Sequence, residues 1–383
     1  MKRLVFKNIL ALICGMMVAV TLIAGSVQSD PFVDYVKKNG LDPKSFILDK
    51  LANHQLVIYG ETHKRESSWN LLKSVIKDPL FYKRTGIVFL EMSSDSQEKM
   101  DNFFANEIID KEILLEILRC VQAEGWDDRG MYEFVIDLWN LNSRLVESEK
   151  IKVVLVDIPR PFGSLKTKEE YDNHFQNVPN RDQQMADIIE KSMKSCTDER
   201  GGLFIVGLAH AFKAKISLGE YTHVSAGVHL KERFSDKDVY ITFTHMAIMD
   251  NTGNVAGLTR NGIFDNSFEQ NGNKPVAFNL AGSPFGKEPF DAIIDFNTFE
   301  GIGNYEKNYD GYIFLMPLKD EGPYYMLPEL ITEDFVQELK RRAIIMGENW
   351  KEYGVKVKNI TMEDVHRYYQ EQAQGRYWKN LKE

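Results

Sequence analysis

Leu56-Val57-Ile58-Tyr59-Gly60-Glu61-Thr62-His63 decides how this chain is read. An apolar run ends in a glycine, and a carboxylate and an imidazole follow two residues apart. Gly86-Ile87-Val88-Phe89-Leu90 repeats the pattern and ends in Glu91. Gly202-Leu203-Phe204-Ile205-Val206 repeats it again and leads into Gly207-Leu208-Ala209-His210. Apolar runs of this length, bounded by glycines, are the pattern of strands buried on both faces of a parallel sheet. Three such strands place two carboxylates and two imidazoles just past their C-terminal ends. In an open α/β sheet that edge is where ligands bind.

Outward from these runs, the chain alternates strand and helix patterns. Residues 56–60, 86–90, 151–156, 203–207, 239–243 and 311–316 read as strands. Residues 66–77, 96–105, 110–122, 131–148, 181–195 and 209–218 read as helices, with apolar positions at helical spacing. The expected fold is α/β: a mostly parallel central sheet flanked by helices. Residues 164–180 are polar and read as a loop, and 250–290 are rich in Asn and Gly without a sustained period. Beyond about 320 two helical patterns, 332–350 and 362–377, predict a small C-terminal helical appendage. The predicted division is 1–29, a signal peptide; 30–320, the α/β domain; and 321–383, the C-terminal helical extension.

The signal peptide is read from Lys2, Arg3 and Lys7, then the apolar run Ile9 to Ala24, with cleavage after Ser29. An uncleaved anchor is the alternative, and membrane contact is expected only through this segment. The chain is therefore expected to be exported: periplasmic, cell-surface or secreted. The net charge of −9 disfavours a general nucleic-acid binder, which must neutralise phosphates. Cys120 and Cys196, the two cysteines after the signal, can form at most one bridge and no disulfide framework.

Candidate chemistry rests on Glu61, His63, Glu91 and His210, either as acid and base groups around a water or as ligands of a divalent metal. Arg181 opens the helix Arg181-Asp182-Gln183-Gln184-Met185-Ala186-Asp187 and is a candidate anion clamp. Lys213 is placed one turn after His210. Trp126, Asp127, Asp128 and Tyr132 are candidates to line the pocket, with core packing the competing role. His245 ends a strand pattern and is a weaker candidate on the same edge. A Gly-x-Ser-x-Gly elbow, a P-loop, a dinucleotide glycine fingerprint and His-Glu-x-x-His are all absent from the sequence. These absences argue against the usual serine α/β-hydrolase, NTPase, Rossmann dehydrogenase and zincin.

In order, Gly60-Glu61-Thr62-His63, Phe89-Leu90-Glu91, Asn180-Arg181-Asp182-Gln183-Gln184-Met185-Ala186 and Val206-Gly207-Leu208-Ala209-His210 resemble the motifs of the erythromycin-esterase/ChaN-like superfamily, which includes the Tiki and TraB proteins. Ala226 to Phe234, followed by Val239 to Phe243, is similar to the esterase branch. The resemblance covers about residues 50–320. It implies a cleft in which His63 is the general base, Glu61 and Glu91 orient it, and His210 assists at the oxyanion. The Tiki branch implies a metal-dependent peptidase with the same four residues as ligands; the ChaN branch implies haem binding. Gly60-Glu61-Thr62-His63-Lys64 differs from the Gly-Glu-x-x-His spacing of erythromycin esterases, which argues against a macrolide substrate. The leading expectation is an exported hydrolase acting on an ester, lactone or amide of a small molecule or peptide. A periplasmic or surface binding protein for haem or a metal is the alternative.

Overall fold

The computed structural model describes residues 30–375 except 197–198, 236, 250–254 and 294–299. The expected signal peptide, 1–29, lies outside the described residues. No described helix is long and apolar enough to cross a membrane.

Seven strands form the central sheet: β1 (Leu56–Glu61), β2 (Thr85–Ser93), β3 (Lys152–Asp157), β4 (Gly201–Gly207), β5 (Val239–Thr244), β6 (Val276–Asn279) and β7 (Gly311–Phe314). Their order across the sheet is β6-β7-β5-β1-β4-β2-β3. All neighbouring pairs are parallel except β6 with β7. Strand β1 is therefore central, with Tyr59 opposite Ile205 of β4 and Thr242 of β5. Its six residues are all buried, which explains why its sequence is a continuous apolar run rather than an alternating one.

Alternate side chains still go to opposite faces. Val57 and Tyr59 join one core with Val88 and Leu90, covered by α1 (Glu66–Ile76) and α2 (Arg129–Asn142). Leu56 and Ile58 join the other with Ile87 and Phe89, covered by α3 (Arg181–Ser195) and α4 (Ala226–Arg233). The C-terminal helices α5 (Glu333–Ile345) and α6 (Met362–Ala373) pack into the first core through Phe335, Leu339, Val365 and Tyr369. Cys120 and Cys196 are unbridged.

Three expectations are corrected. Residues 209–218 form no long helix: a single turn, Leu208–His210, is followed by the strand Ile216–Leu218, which pairs with Tyr221–His223. Gly219, at φ +58°, makes the tight connection. The polar stretch 164–180 holds a helix, Lys168–Gln176, nucleated by a Thr167/Glu170 capping box although no residue in it is buried. Residues 250–290 supply the helix Ile263–Gln270 and the edge strand β6. Aromatic stacking organises that region: Phe268 lies 4.0 Å from Phe314, and Phe278 stacks on Tyr312 at 5.4 Å.

Candidate active site

Parallel strands with a common direction bring their C-terminal ends to one edge, and the site is built there. Glu61 is the last residue of β1 and is 2% exposed. Its Oε1 pairs with Nδ1 of His63. That contact directs the Nδ1 proton toward the carboxylate, so Nε2 is the nitrogen that exchanges a proton in the neutral ring. The His63 side chain is 41% exposed, enough to meet a substrate. The Trp126 ring closes one side, edge to face at 4.5 Å. Glu61 Oε2 is buried and has no hydrogen-bond partner among the described residues.

The turn that carries His63 is held from several directions. Lys64 sits at φ +61°, a left-handed conformation that costs a non-glycine residue about 1 kcal/mol or more. Its N–H donates to Asp128 Oδ2 at 3.0 Å, and its carbonyl accepts from the Tyr325 N–H at 2.9 Å. The Lys64 ammonium pairs with Asp127, which also accepts from the Tyr369 hydroxyl at 2.9 Å. Tyr325 and Tyr369 both lie in the C-terminal extension, so that extension fixes the loop bearing His63.

Burial alone would lower the His63 pKa. The Glu61 carboxylate outweighs it, with Glu91 and Asp128 behind, and raises the imidazole to about 9. Asp128, fully buried and facing the Glu61 charge, is itself raised to about 6.

Glu91 forms the second half of the site. Sequence reading ends its strand at Leu90, but β2 runs on to Ser93 with an irregularity in its pairing to β3 between Leu90 and Ser93. Such a bulge re-aims a side chain. Glu91 Oε2 accepts from the Gly207 N–H at 2.7 Å, and Oε1 accepts from Arg181 Nη2 at 2.5 Å. Arg181 opens α3, capped by Asn180, and also donates twice to Asp157, at 2.7 and 2.8 Å. Asp157 ends β3, has no exposed surface and pairs again with Arg160 at 2.7 Å. Burial would raise its pKa, but the two guanidinium groups hold it below the usual carboxylate range.

His210 stands on the turn after β4. Its Nδ1 donates to Asp182 Oδ1 at 2.8 Å, and Nε2 lies 3.6 Å from Glu91 Oε1 and 3.3 Å from Arg181 Nη1. Burial and Arg181 push its pKa down; Glu91 and Asp182 prevail and raise it. Asp182 Oδ1 also accepts from the Ala226 N–H at 2.7 Å, which ties His210 to α4.

Gly207 joins the two halves. A Cβ at this position would lie 2.8 Å from His63 Cε1, 3.0 Å from its Nε2 and 3.3 Å from Glu91 Oε2. Only hydrogen fits there without moving the imidazole. Gly207→Ala should therefore fold but lose activity at least tenfold, since displacements near 1 Å disrupt catalytic alignment. Steady-state kinetics beside a melting curve check this: unchanged kcat would show that the close approach is not needed.

All five site residues read from the sequence, Glu61, His63, Glu91, Arg181 and His210, thus meet at one edge. Asp157, Asp182, Asp128 and Trp126 complete the set. Asp157 was legible in principle, because Val153-Val154-Leu155-Val156-Asp157 ends in a carboxylate as β2 does. Lys213 is not on a helix with His210; it pairs with Asp310. His245 is 1% exposed and bonded to Tyr312 and Asp265, a buried network. Tyr132 is half-buried and packs against the first core.

No group of three or more His, Cys, Asp or Glu side chains among the described residues is arranged to hold a metal ion. The guanidinium of Arg181 lies between Glu91 and His210, so a cation already serves both. This arrangement does not fit a four-ligand centre made of Glu61, His63, Glu91 and His210.

No family model and no curated protein matches the sequence. Solved structures do match the fold. A Bacillus cereus protein superposes with a TM-score of 0.54 at 12% identity, over 74% of this chain and 96% of that one. A succinoglycan biosynthesis protein gives 0.52 at 12% identity, over 76% and 97%. These two share the α/β architecture. An erythromycin esterase in its open conformation also matches, with a TM-score of 0.48 at 12% identity, over 70% and 92%.

Proposed function

We propose that the chain is a hydrolase in which His63, backed by Glu61, activates water against an ester, lactone or amide carbonyl. The observation that carries this reading is the Glu61–His63 pair: a buried carboxylate on Nδ1 of a partly exposed imidazole at the catalytic edge of the sheet. The carboxylate fixes the ring and stabilises the imidazolium formed when Nε2 takes a proton from water. Hydroxide adds to the carbonyl carbon. The charge on the carbonyl oxygen is met by the guanidinium of Arg181, held in place by Glu91 and Asp157, with His210, fixed by Asp182, beside it. His63 then returns its proton to the departing alkoxide or amine, leaving a carboxylic acid. The N-terminal pattern of a signal peptide supports action outside the cytoplasm, on a small molecule or a peptide.

Because His63 titrates near 9, only about one ring in a hundred is the neutral base at pH 7. Activity should rise about tenfold per pH unit through neutrality and level near pH 9. The sign for stability is the reverse. The folded pKa is raised above the unfolded value of 6.5, so its stabilising contribution is complete below about pH 6.5 and is lost as pH rises through 9. A panel of esters, lactones and amides, assayed with and without chelator, tests the function itself. Turnover that survives the chelator and is absent in His63→Ala supports the proposal. Absence of turnover, with a Soret band appearing on haem titration, replaces it with the binding-protein reading.

A further inference from the structure

Helix α1 begins three residues after His63, and its first turn lacks a cap of its own. Arg65 stands at the capping position, and its side chain makes no bond to the helix N–H groups. Such N–H groups need an acceptor, usually the side chain at that position. Here a carboxylate 254 residues away supplies it: Glu321 Oε1 accepts from the Ser67 N–H at 3.2 Å. Its Oε2 accepts from the Ser67 hydroxyl at 2.7 Å, from Arg65 Nη2 at 2.8 Å and from Arg65 Nε at 3.2 Å. We propose that Glu321 is a positioning residue for His63, acting through Arg65 and the start of α1.

Placement carries the proposal. The turn 62–65 hangs between two fixed points. At one end Glu61 is the last residue of β1, in register with Gly207 of β4. At the other end stand Arg65 and the first turn of α1, both held by Glu321. Lys64 is already in a left-handed conformation, at φ +61°, so a shift at Arg65 reaches the imidazole within two residues. The anchor is buried: Glu321 is 3% exposed and Arg65 1%, and water screens such a pair poorly. A negative charge at a helix N-terminus also suits the helix dipole. Arg65 Nη1 donates to the His245 carbonyl at 2.6 Å, which ties the anchor to the residue after β5.

Glu321 begins a strap. Residues 321–327 run between the His63 turn and the start of α2. The Tyr325 N–H donates to the Lys64 carbonyl at 2.9 Å, and the Tyr325 carbonyl accepts from the Arg129 N–H at 3.0 Å. The Leu327 N–H donates to the Asp127 carbonyl at 2.8 Å, and Met326 bridges Asp128 in antiparallel register. One side of the strap holds the turn of His63, and the other holds the segment of Trp126 and Asp128. Glu321 is where the strap meets the turn through a charge. A catalytic group keeps its alignment only when such supporting contacts lock it.

This inference rests on His63 being the base, and its test reads His63 with and without turnover. Glu321→Gln keeps the side-chain shape and removes the charge. Arg65→Met combined with Glu321→Leu leaves no uncompensated buried charge, so it folds even if the single variant does not. In each folded variant kcat on the ester panel should fall at least about tenfold, with KM within about twofold of wild type. The His63 ring, followed by ¹H–¹³C NMR against pH, should titrate at least about one unit below wild type, because a loosened turn weakens its contact with Glu61. The double variant changes no net charge, so its midpoint reports geometry alone. A scaffolding role would lower the melting temperature and leave that midpoint in place. An unmoved midpoint in the folded double variant therefore overturns the proposal, whatever the turnover. A lowered midpoint upholds it even when no substrate is turned over, and in that case only the hydrolase reading falls.

Discussion

Replacing His63 with alanine should reduce kcat by about 10³-fold or more in a protein that still folds, with a melting temperature lowered near neutral pH because buried Glu61 loses its cationic partner. A positioned general base contributes roughly 10² to 10⁴ in rate. Here it is also the group that returns the proton to the leaving group, so its loss affects both halves of the reaction. The side chain is 41% exposed and packs mainly against the edge of Trp126, so its removal leaves little void. His63→Gln separates geometry from chemistry: it fills the space and can accept a hydrogen bond, but it cannot shuttle a proton. Full kcat in either variant, measured on the ester panel, would remove His63 from the mechanism.

Arg181→Met should lower stability by several kcal/mol, about 3 or more. One guanidinium serves Glu91, Asp157 and the neighbourhood of His210. Asp157 is fully buried and Glu91 is 5% exposed. Removing one partner of a buried pair costs about 3–5 kcal/mol, because a charge is left uncompensated in low dielectric. Asp157 keeps Arg160, so the lower end of that range is expected. The sign of the pH dependence follows from Asp157, whose folded pKa is lowered. Its contribution is present above the unfolded value near 4 and is lost on acidification through the folded pKa. Denaturant titrations at pH 7 and at about pH 2 should show a larger gap between wild type and Arg181→Met at pH 7. A gap of less than about 1 kcal/mol at pH 7 would mean that water, not Arg181, neutralises these acids.

Much of this was legible in the sequence because burial on both faces leaves an unambiguous record. β1, β2, β4 and β5 are near-continuous apolar runs, and their parallel direction collects Glu61, Glu91 and His210 at one edge. The edge strand Val276–Asn279 was hidden because it is four residues long and held by aromatic contacts from distant parts of the chain. The helix Lys168–Gln176 was hidden because a helix with no buried residue carries no apolar period. Trp126 and Asp128, pocket-lining candidates in the sequence, do stand around His63, but Tyr325 and Tyr369 come from the C-terminal extension. Their roles around His63 depend on tertiary contacts that no local pattern encodes. Lys213 was misassigned for a related reason: its helical spacing was overridden by the hairpin closed at Gly219.

The decisive measurement is the pH profile of kcat/KM in wild type and in Glu61→Gln. The expected wild-type limb has its midpoint near 9, set by the carboxylate on His63. In Glu61→Gln the midpoint should fall by more than one unit, toward the ordinary histidine value of about 6.5, with a lower plateau because the imidazolium has lost its partner. A wild-type profile flat from pH 6 to 10, or a limb that does not move in Glu61→Gln, would contradict the assignment of His63 and Glu61 as the base and its support.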